Sequence, residues 1–375
     1  MNRIKELDSL RGIAALTVII THCIGILTII PQSLNITPLH FFWAGHEAVI
    51  FFFILSGFVL SLPILSGNKE FNYGEFIVKR MFRIYIPYLA AISFTFVCYA
   101  FFHDKTAEGL SIMFGTMWDE KLTVKTVLEH VLLIGNFPTS EYNTVIWSLV
   151  HEMRISFFFP LIVIFVIKVN WKWSMGLCFV LSGVLGVSHI LSLETVNGYR
   201  NGYFDTVHYT AMFIIGVLLA KQKDSLTASL RSLGKNKRVL LLIGAFIMYT
   251  YSHLLSALPT NIIGAEWGIT VGASLFILLA LSSKGFSIVL SHRVLVILGE
   301  LSYSLYLVHI PVIFSSFYLL SGVLPTWGIF SIALPLTLLF AFLCRKYIEL
   351  PSAKLGRKVK FSNKKVTKYS YNHFR

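Results

Sequence analysis

An arginine and a histidine stand in one otherwise apolar stretch, SLRGIAALTVIITHCIG, at residues 9–25. Eleven residues separate Arg11 from His22. On a helix they would share one face, about 16 Å apart. Because ionisable side chains are costly in lipid, we expect a functional role for both, with Asp8 pairing to Arg11. The alternatives are that Arg11 is a charge at the membrane boundary and that His22 makes only a helix–helix hydrogen bond.

A second ionisable group lies in WSLVHEMRISFFFP, at residues 147–160. Glu152 and Arg154 are two residues apart and cannot pair along one helix, so each needs a partner elsewhere. Glu152 is therefore a candidate catalytic carboxylate near the outer third of a span, or one half of a structural ion pair. His151 and Arg154 could equally lie at the outer interface.

A third group is basic and lies in FIVKRMFRIYIPYL, at residues 76–89. Arg80 and Arg83 are one helical turn apart and share a face, with Lys79 beside them. Guanidinium groups bind phosphate oxygens well, so this pair suits a phosphate-bearing ligand. The alternative is a basic anchor at the start of a membrane helix.

The fourth candidate is His309 in GELSYSLYLVHIP, at residues 299–311. Helical spacing places it about 18 Å from the inner end of its span, near the depth expected for His22. The four groups predict an ordered path. A donor would bind at the inner arginines, two histidines would lie halfway, and Glu152 would lie towards the outer opening.

The composition requires membrane helices to position these groups. Of 375 residues, 55% are hydrophobic and 13% charged, and the mean hydropathy is +0.72. Soluble domains carry roughly 25% charged residues. The fold prediction is an all-α integral membrane bundle of about ten helices, each near 20 apolar residues long. The predicted spans are 12–30, 46–65, 84–103, 146–168, 174–193, 205–221, 239–258, 266–283, 297–320 and 326–347.

The net charge of +14 is explained by the distribution of the basic residues. With the N-terminus inside, most of the 32 lysines and arginines fall in inner segments, as cytoplasmic loops require. We therefore predict two cytoplasmic termini and no nucleic-acid partner. The membrane domain would cover residues 1–350, followed by a basic tail at 351–375 that is attracted to anionic lipid.

The remaining features limit the possible chemistry. The outer loop 104–144 holds an apolar run too short to span, which we expect to lie at the interface or to fold back over the bundle. All four cysteines lie in or beside apolar stretches, so no disulfide framework is expected. No Cys-x-x-Cys or His–Cys spacing suggests a metal, and no cleavable signal peptide is evident.

Six segments in order resemble the acyltransferase family 3 of integral membrane proteins, whose members O-acetylate bacterial glycans. The segment LDSLRGIAALTVIITH is similar to the amino-terminal stretch of the family, and FFFILSGFVLS to its second helix. KRMFRIYIPYL resembles its basic segment, and WSLVHEMRISFFFP its W-S-L-x-x-E helix. LSYSLYLVHIP and YIELP are similar to its last two motifs.

The resemblance implies a membrane O-acyltransferase of the bacterial cytoplasmic membrane. Cytoplasmic acetyl-coenzyme A would be the donor, and a hydroxyl of a cell-surface or lipid-linked glycan the acceptor. His22 and Glu152 would be catalytic, Arg11, Arg80 and Arg83 would bind the donor, and no metal is implied. Asp8, Arg154 and His309 are further candidates for supporting roles. The chain ends about 28 residues after its last span, so the carboxy-terminal hydrolase-like domain of many relatives is not expected.

Two other classes stay open on the sequence alone. A transporter or flippase for a lipid-linked saccharide would also need His, Glu and Arg inside the membrane, although we find no paired broken helices in related halves. The other large family of membrane-bound acyltransferases also relies on a membrane histidine. Whether His22 acts as a general base or carries the acyl group is likewise open.

Overall fold

The computed structural model describes residues 4–26, 32–67, 71–105, 110–257 and 262–359. Within these residues the chain is helical and contains no strand. Ten helices are long and apolar enough to cross a membrane, which confirms the predicted fold class and number of spans. They are α1 (Lys5–Ile26), α2 (Gly45–Leu65), α3 (Tyr73–Phe102), α4 (Ile146–Lys168), α5 (Trp171–Ile190), α6 (Tyr203–Lys221), α7 (Lys235–Leu255), α8 (Ile262–Ser282), α9 (Arg293–Leu320) and α10 (Thr326–Lys358).

Several helices extend beyond the predicted apolar spans. The first begins at Lys5 instead of residue 12, and α3 begins at Tyr73 and passes through a π-helical turn at Met81–Tyr85. The last continues to Lys358, into the segment predicted as a tail; residues 27–31, 258–261 and 360–375 lie outside the described part of the chain. The added turns carry charged residues. A hydropathy pattern ends where charges begin, whereas helical hydrogen bonding does not.

Two close helix crossings organise the bundle. At the crossing of α1 and α9, a Cβ on Gly12 would overlap the backbone of Gly299. At the crossing of α2 and α6, a Cβ on Gly57 would overlap the backbone of Phe213, and one on Gly216 the backbone of α2. Small residues let membrane helices approach in this way.

Residues 124–137 of the predicted outer loop pack against α3 and leave Val124, Leu128 and Leu132 exposed as an apolar stripe, so this run combines features of both expected arrangements. It contains a short helix at Val124–Leu132. The Tyr88 hydroxyl donates to the His130 carbonyl at 2.8 Å, and the Tyr85 hydroxyl donates to the Val131 carbonyl at 2.5 Å. These hydrogen bonds attach the loop to α3.

His130 is fully buried within this loop. Its Nδ1 donates to the Thr126 carbonyl at 2.9 Å, and the rings of Phe96, Phe137 and Tyr142 surround it. Burial lowers the pKa of His130 to about 4, and the hydrogen bond to Thr126 offsets only part of that effect. The loop therefore holds this imidazole in its neutral form.

Acid should consequently destabilise the protein through His130. In the unfolded chain the histidine has a pKa near 6.5, so its contribution to stability is complete above about pH 6.5 and is lost as the pH falls towards 4. Between pH 7 and pH 5 we expect a loss of about 2 kcal/mol. The measurement is the thermal unfolding temperature in detergent at both pH values, for wild type, His130→Leu and the exposed control His103→Gln. An unchanged pH response in His130→Leu would contradict the assignment.

Candidate active site

His22 and His309 lie in contact, on α1 and α9 respectively. His309 Nε2 is 3.1 Å from His22 Nδ1, and His22 Nε2 is 3.2 Å from the Thr144 hydroxyl. His309 is fully buried, whereas His22 and Thr144 are both partly exposed. The structure thus brings together two histidines that the sequence placed at similar depth.

The hydrogen bonds determine which ring nitrogen carries the proton in His309 and in His22. His309 Nδ1 is 3.1 Å from the Leu305 carbonyl, which can only accept, so Nδ1 carries a proton. In a neutral ring His309 Nε2 is then an acceptor and receives the proton of His22 Nδ1. His22 Nε2 therefore keeps its lone pair and accepts from the Thr144 hydroxyl. A basic nitrogen directed at a hydroxyl is the geometry that general-base catalysis requires.

Contacts of α9 with α4 and with the residues just before α4 hold the two hydrogen-bonded histidines in place. The Asn143 side chain donates to the Leu307 carbonyl at 3.1 Å, and the Ser148 and Tyr306 hydroxyls are 2.8 Å apart. The ring of Phe114 meets the His22 ring edge to face, with centroids 6.2 Å apart. Sequence reasoning did not identify Thr144. Its only signal was a polar pair, Asn143 and Thr144, directly before a span.

Glu152 pairs with Arg80 on another helix, α3, as the sequence predicted that it must. Arg80 Nη2 donates to Glu152 Oε1 at 2.8 Å, and Arg80 Nε donates to the Ser156 hydroxyl at 3.1 Å. Ser56 on α2 donates to the same carboxylate oxygen at 3.3 Å. Arg80 is buried, so this ion pair joins α2, α3 and α4 in the interior.

The predicted order of depth between Glu152 and His22 is wrong. The sequence placed Glu152 nearer the outer opening. In the structure His22 contacts Thr144 just before α4, and Glu152 follows about two helical turns later. With α4 running from outside to inside, as predicted, the histidines are the outer group. The cause is the early start of α1, which places His22 only one turn before its end at Ile26.

Arg11, Arg83 and Arg345 share one acidic neighbour, Glu349. Asp8 Oδ1 is 3.6 Å from Arg11 Nη1, which confirms that predicted pair. Arg83 and Arg11 both act electrostatically on the Glu349 carboxylate, as does Arg345. Arg83 is exposed and Arg80 is buried. Of the predicted arginine pair, only Arg83 therefore lies on the exposed side of α3.

Glu349 and the surrounding helix ends are fixed by further contacts. Ser304 on α9 donates to Glu349 at 2.6 Å, and Arg345 Nη2 donates to Glu300 at 2.7 Å. Ser352, three residues after Glu349, donates to the carbonyl of Phe82, which lies between Arg80 and Arg83 on α3. The basic group and the Arg80–Glu152 pair are therefore neighbours in one polar region.

A second basic feature, which the sequence did not single out, is a cavity of about 1080 Å³ between the starts of α1 and α7 and the end of α8. Its cations are Arg231, Lys235, Arg238 and Lys284. Glu6 also lines it and accepts a hydrogen bond from Ser287 at 2.5 Å. This cavity could bind a phosphate-bearing molecule on the same side as Arg11.

Arg154 and His151 organise the outer loops and do not contact the histidine pair in the described residues. Arg154 donates to the carbonyls of Ile134 and Gly135 at 2.9 and 2.6 Å, and to that of Gly202 at 3.0 Å. His151 Nε2 donates to the Arg200 carbonyl at 2.7 Å. Arg154 thus connects α4 to the segments before α4 and before α6, and His151 connects α4 to the segment before α6.

Glu266 is the centre of another buried network that sequence reasoning missed. His46 Nε2 lies 2.7 Å from one of its carboxylate oxygens and His208 Nε2 lies 2.6 Å from the other, while Arg200 pairs with the first oxygen. Glu266 is 1% exposed. The network joins the outer ends of α2, α6 and α8. Its signal in the sequence was an acid at the start of a predicted span.

The Arg80–Glu152 pair should be strongly coupled. Removing one charge leaves the other buried, at an expected cost of about 3 kcal/mol in the free energy of unfolding. Glu152→Gln and Arg80→Met should therefore each destabilise, and the double variant should lose less than their sum. Denaturant unfolding in detergent measures all three. The exposed pair Glu75 and Lys79 is the control, with an expected coupling of at most about 1 kcal/mol. Additive losses at Arg80 and Glu152 would show that they do not interact.

Comparisons with known proteins identify the family. The chain is 26% identical over 377 residues to the O-acetyltransferase OatA of Staphylococcus aureus strain NCTC 8325, which covers 94% of this chain and 57% of that protein. It is 27% identical over 228 residues to a candidate O-acetyltransferase of strain COL, which covers 57% and 36% respectively. The chain thus spans between about a third and just over half of the length of these relatives. No solved structure matches it. The family model for the acyltransferase domain matches residues 4–346, so the chain belongs to the acyltransferase 3 family.

Proposed function

We propose that this protein transfers an acetyl group from acetyl-coenzyme A to a hydroxyl of a cell-surface or lipid-linked glycan, and that His22 performs the reaction. The observation that carries the proposal is the hydrogen-bond chain Leu305–His309–His22–Thr144, which directs a basic nitrogen at a hydroxyl. Membership in the acyltransferase 3 family and the similarity to OatA support acetyl transfer.

The reaction follows from the position of this nitrogen. The acceptor hydroxyl would bind beside Thr144 and give its proton to His22 Nε2 as its oxygen attacks the thioester carbonyl. The new C–O bond forms, the C–S bond breaks, and the proton passes from His22 to the leaving thiolate. The products are the acetylated glycan and free coenzyme A.

His309 would support this step from the opposite side of the His22 ring to Thr144. When His22 accepts a proton it becomes an imidazolium, and its Nδ1–H then donates more strongly to the bare Nε2 of His309. His309 also fixes the tautomer of His22, the role that a carboxylate plays in many catalytic triads. An acetyl-histidine intermediate would form at the same Nε2 atom. The Thr144 hydroxyl beside that atom favours the general-base reaction.

The donor would bind at the inner arginines. Arg11 and Arg83, with Arg345 beside them, would hold the phosphates of coenzyme A by charge-assisted hydrogen bonds. Arg11 lies on the face of α1 that carries His22, about 16 Å away, so the thioester would extend along α1. Glu152, paired with Arg80, would act as a positioning residue between the two ends of this path.

The same arrangement supports a location in the bacterial cytoplasmic membrane with both termini inside. The donor would enter from the cytoplasm, and the glycan would reach His22 from the outer face past loop 104–144. The transporter alternative has no support from the family or from the relatives.

Loss of His22 should abolish acetyl transfer. With radiolabelled acetyl-coenzyme A and membranes containing the glycan fraction of the producing cells, we expect His22→Ala to lower the rate by at least about 100-fold. His309→Ala should lower it less, because His22 keeps its own nitrogen. The matched control is His103→Ala, an exposed histidine at the end of α3. Transfer near the wild-type rate in well-folded His22→Ala protein would contradict the base role.

The location of the donor can be tested by charge removal. Arg83→Gln should raise KM for acetyl-coenzyme A about tenfold, the loss of one charge-assisted hydrogen bond, with little change in kcat. Lys79→Gln, one turn away and paired with Glu75, is the matched control. Arg231→Gln tests the basic cavity. A rise in KM for Arg231→Gln alone would place the donor phosphates in the cavity and contradict the site at Arg83.

A further inference from the structure

A group of two histidines and one carboxylate lies at the outer end of the bundle, apart from His22. His40 belongs to the short helix Pro38–Trp43, Glu47 to the first turn of α2, and His253 to the end of α7. One potential ligand atom from each of the three lies within 4.8 Å of the other two. Three separate elements therefore converge on one point.

The contacts within this group are short. His40 Nε2 is 3.2 Å and His253 Nδ1 is 3.7 Å from the same oxygen of Glu47. The two imidazole rings have centroids 3.9 Å apart. Ligands bound at 2.0–2.1 Å to a tetrahedral zinc ion are separated from one another by roughly 3.4 Å, so side-chain adjustments of about an ångström would complete the site.

Burial makes the negative charge of the Glu47 carboxylate unfavourable unless a cation lies beside it. His40 is 8% exposed and Glu47 is 3% exposed. A buried carboxylate needs a positive charge or several donors, and two imidazoles packed ring against ring supply a full positive charge only when one is protonated. His40 Nδ1 is also buried and has no hydrogen-bond partner within the described part of the chain.

The second hydrogen bond of His253 is the kind that orients a metal ligand. His253 Nδ1 lies 2.7 Å from the Thr250 carbonyl, which fixes the orientation of the ring, and binding of a metal would release a proton from the imidazole. Histidines that bind metals usually donate their other N–H to a carbonyl or a carboxylate. His253 is therefore oriented by α7 itself.

We propose that His40, Glu47 and His253 bind a divalent transition-metal ion, with Zn²⁺ the ion best suited to two imidazoles and one carboxylate. Bound there, the ion holds the segment before α2 and the outer ends of α2 and α7 together. Glu47 also lies within electrostatic range of His46, which pairs with Glu266. The ion thus completes a polar layer across the outer face, and the absence of any Cys-x-x-Cys or His–Cys spacing does not count against it.

The test measures metal content and does not depend on acetyl transfer. Protein with a streptavidin-binding tag is treated with EDTA in detergent, dialysed, and titrated with Zn²⁺ or Co²⁺. We expect one tightly bound zinc per chain by mass spectrometry, a visible Co²⁺ absorption band that zinc removes, and a higher unfolding temperature with zinc. His40→Gln, Glu47→Gln and His253→Gln should each weaken binding by at least tenfold.

The control variant is His103→Gln, which should bind zinc like wild type. A triple variant carries His40→Gln, Glu47→Gln and His253→Gln together. The proposal would be overturned if wild-type protein bound no more zinc than this triple variant, or if it gave no Co²⁺ band. The three residues would then form only a hydrogen-bonded group. Where a single variant fails to fold, the Co²⁺ band of wild type and its removal by zinc still decide the question. A failure of acetyl transfer would leave this result unaffected.

Discussion

The close crossing of α1 and α9 is the constraint on which the candidate site depends. Gly12 and Gly299 remove two side chains from the crossing, so the helix backbones come into contact. That contact brings His22 within hydrogen-bond distance of His309, although 287 residues separate them. His309 is oriented by the Leu305 carbonyl of its own helix, and His22 is oriented across the crossing by His309 and by the Thr144 hydroxyl. The proton assignment of the site therefore follows from packing between two glycines.

The same requirement explains the other buried polar groups. Arg80 and Glu152 each satisfy the other, and Ser56 and Ser156 supply further hydrogen bonds. Arg154 donates to carbonyl groups of two loop segments, which satisfies its buried guanidinium group. Buried charge in this protein thus fixes the relative positions of helices and loops. His22 combines a lone pair directed at a partly exposed hydroxyl with a second histidine behind it, which distinguishes it from His151, whose ring holds the outer segments to α4.

The sequence predicted the number of spans, the Asp8–Arg11 pair and the need of Glu152 for a partner on another helix. Those features depend on local hydropathy, on helical spacing and on the cost of one buried charge. It did not predict the depth of His22, because the charged turn that begins α1 interrupts the apolar pattern without ending the helix. It also gave no sign that Thr144 would meet His22, or that His40 and Glu47 would meet His253. These contacts join residues far apart in the chain, and no local spacing encodes them.

The corrected depth changes the demands on the proposed donor. With His22 one turn from the end of α1 that the sequence predicts to be outside, the proposed acceptor glycan would need to enter the membrane only slightly. A donor held by Arg11, as proposed, would extend about 16 Å along one helix face to reach His22. A compact acyl phosphate could not make both contacts. A molecule with phosphates at one end, an acyl group at the other and a long flexible arm between them could do so, and coenzyme A thioesters have this form. The separation of Arg11 and His22 thus fits the coenzyme A donor that the proposed function assigns to Arg11.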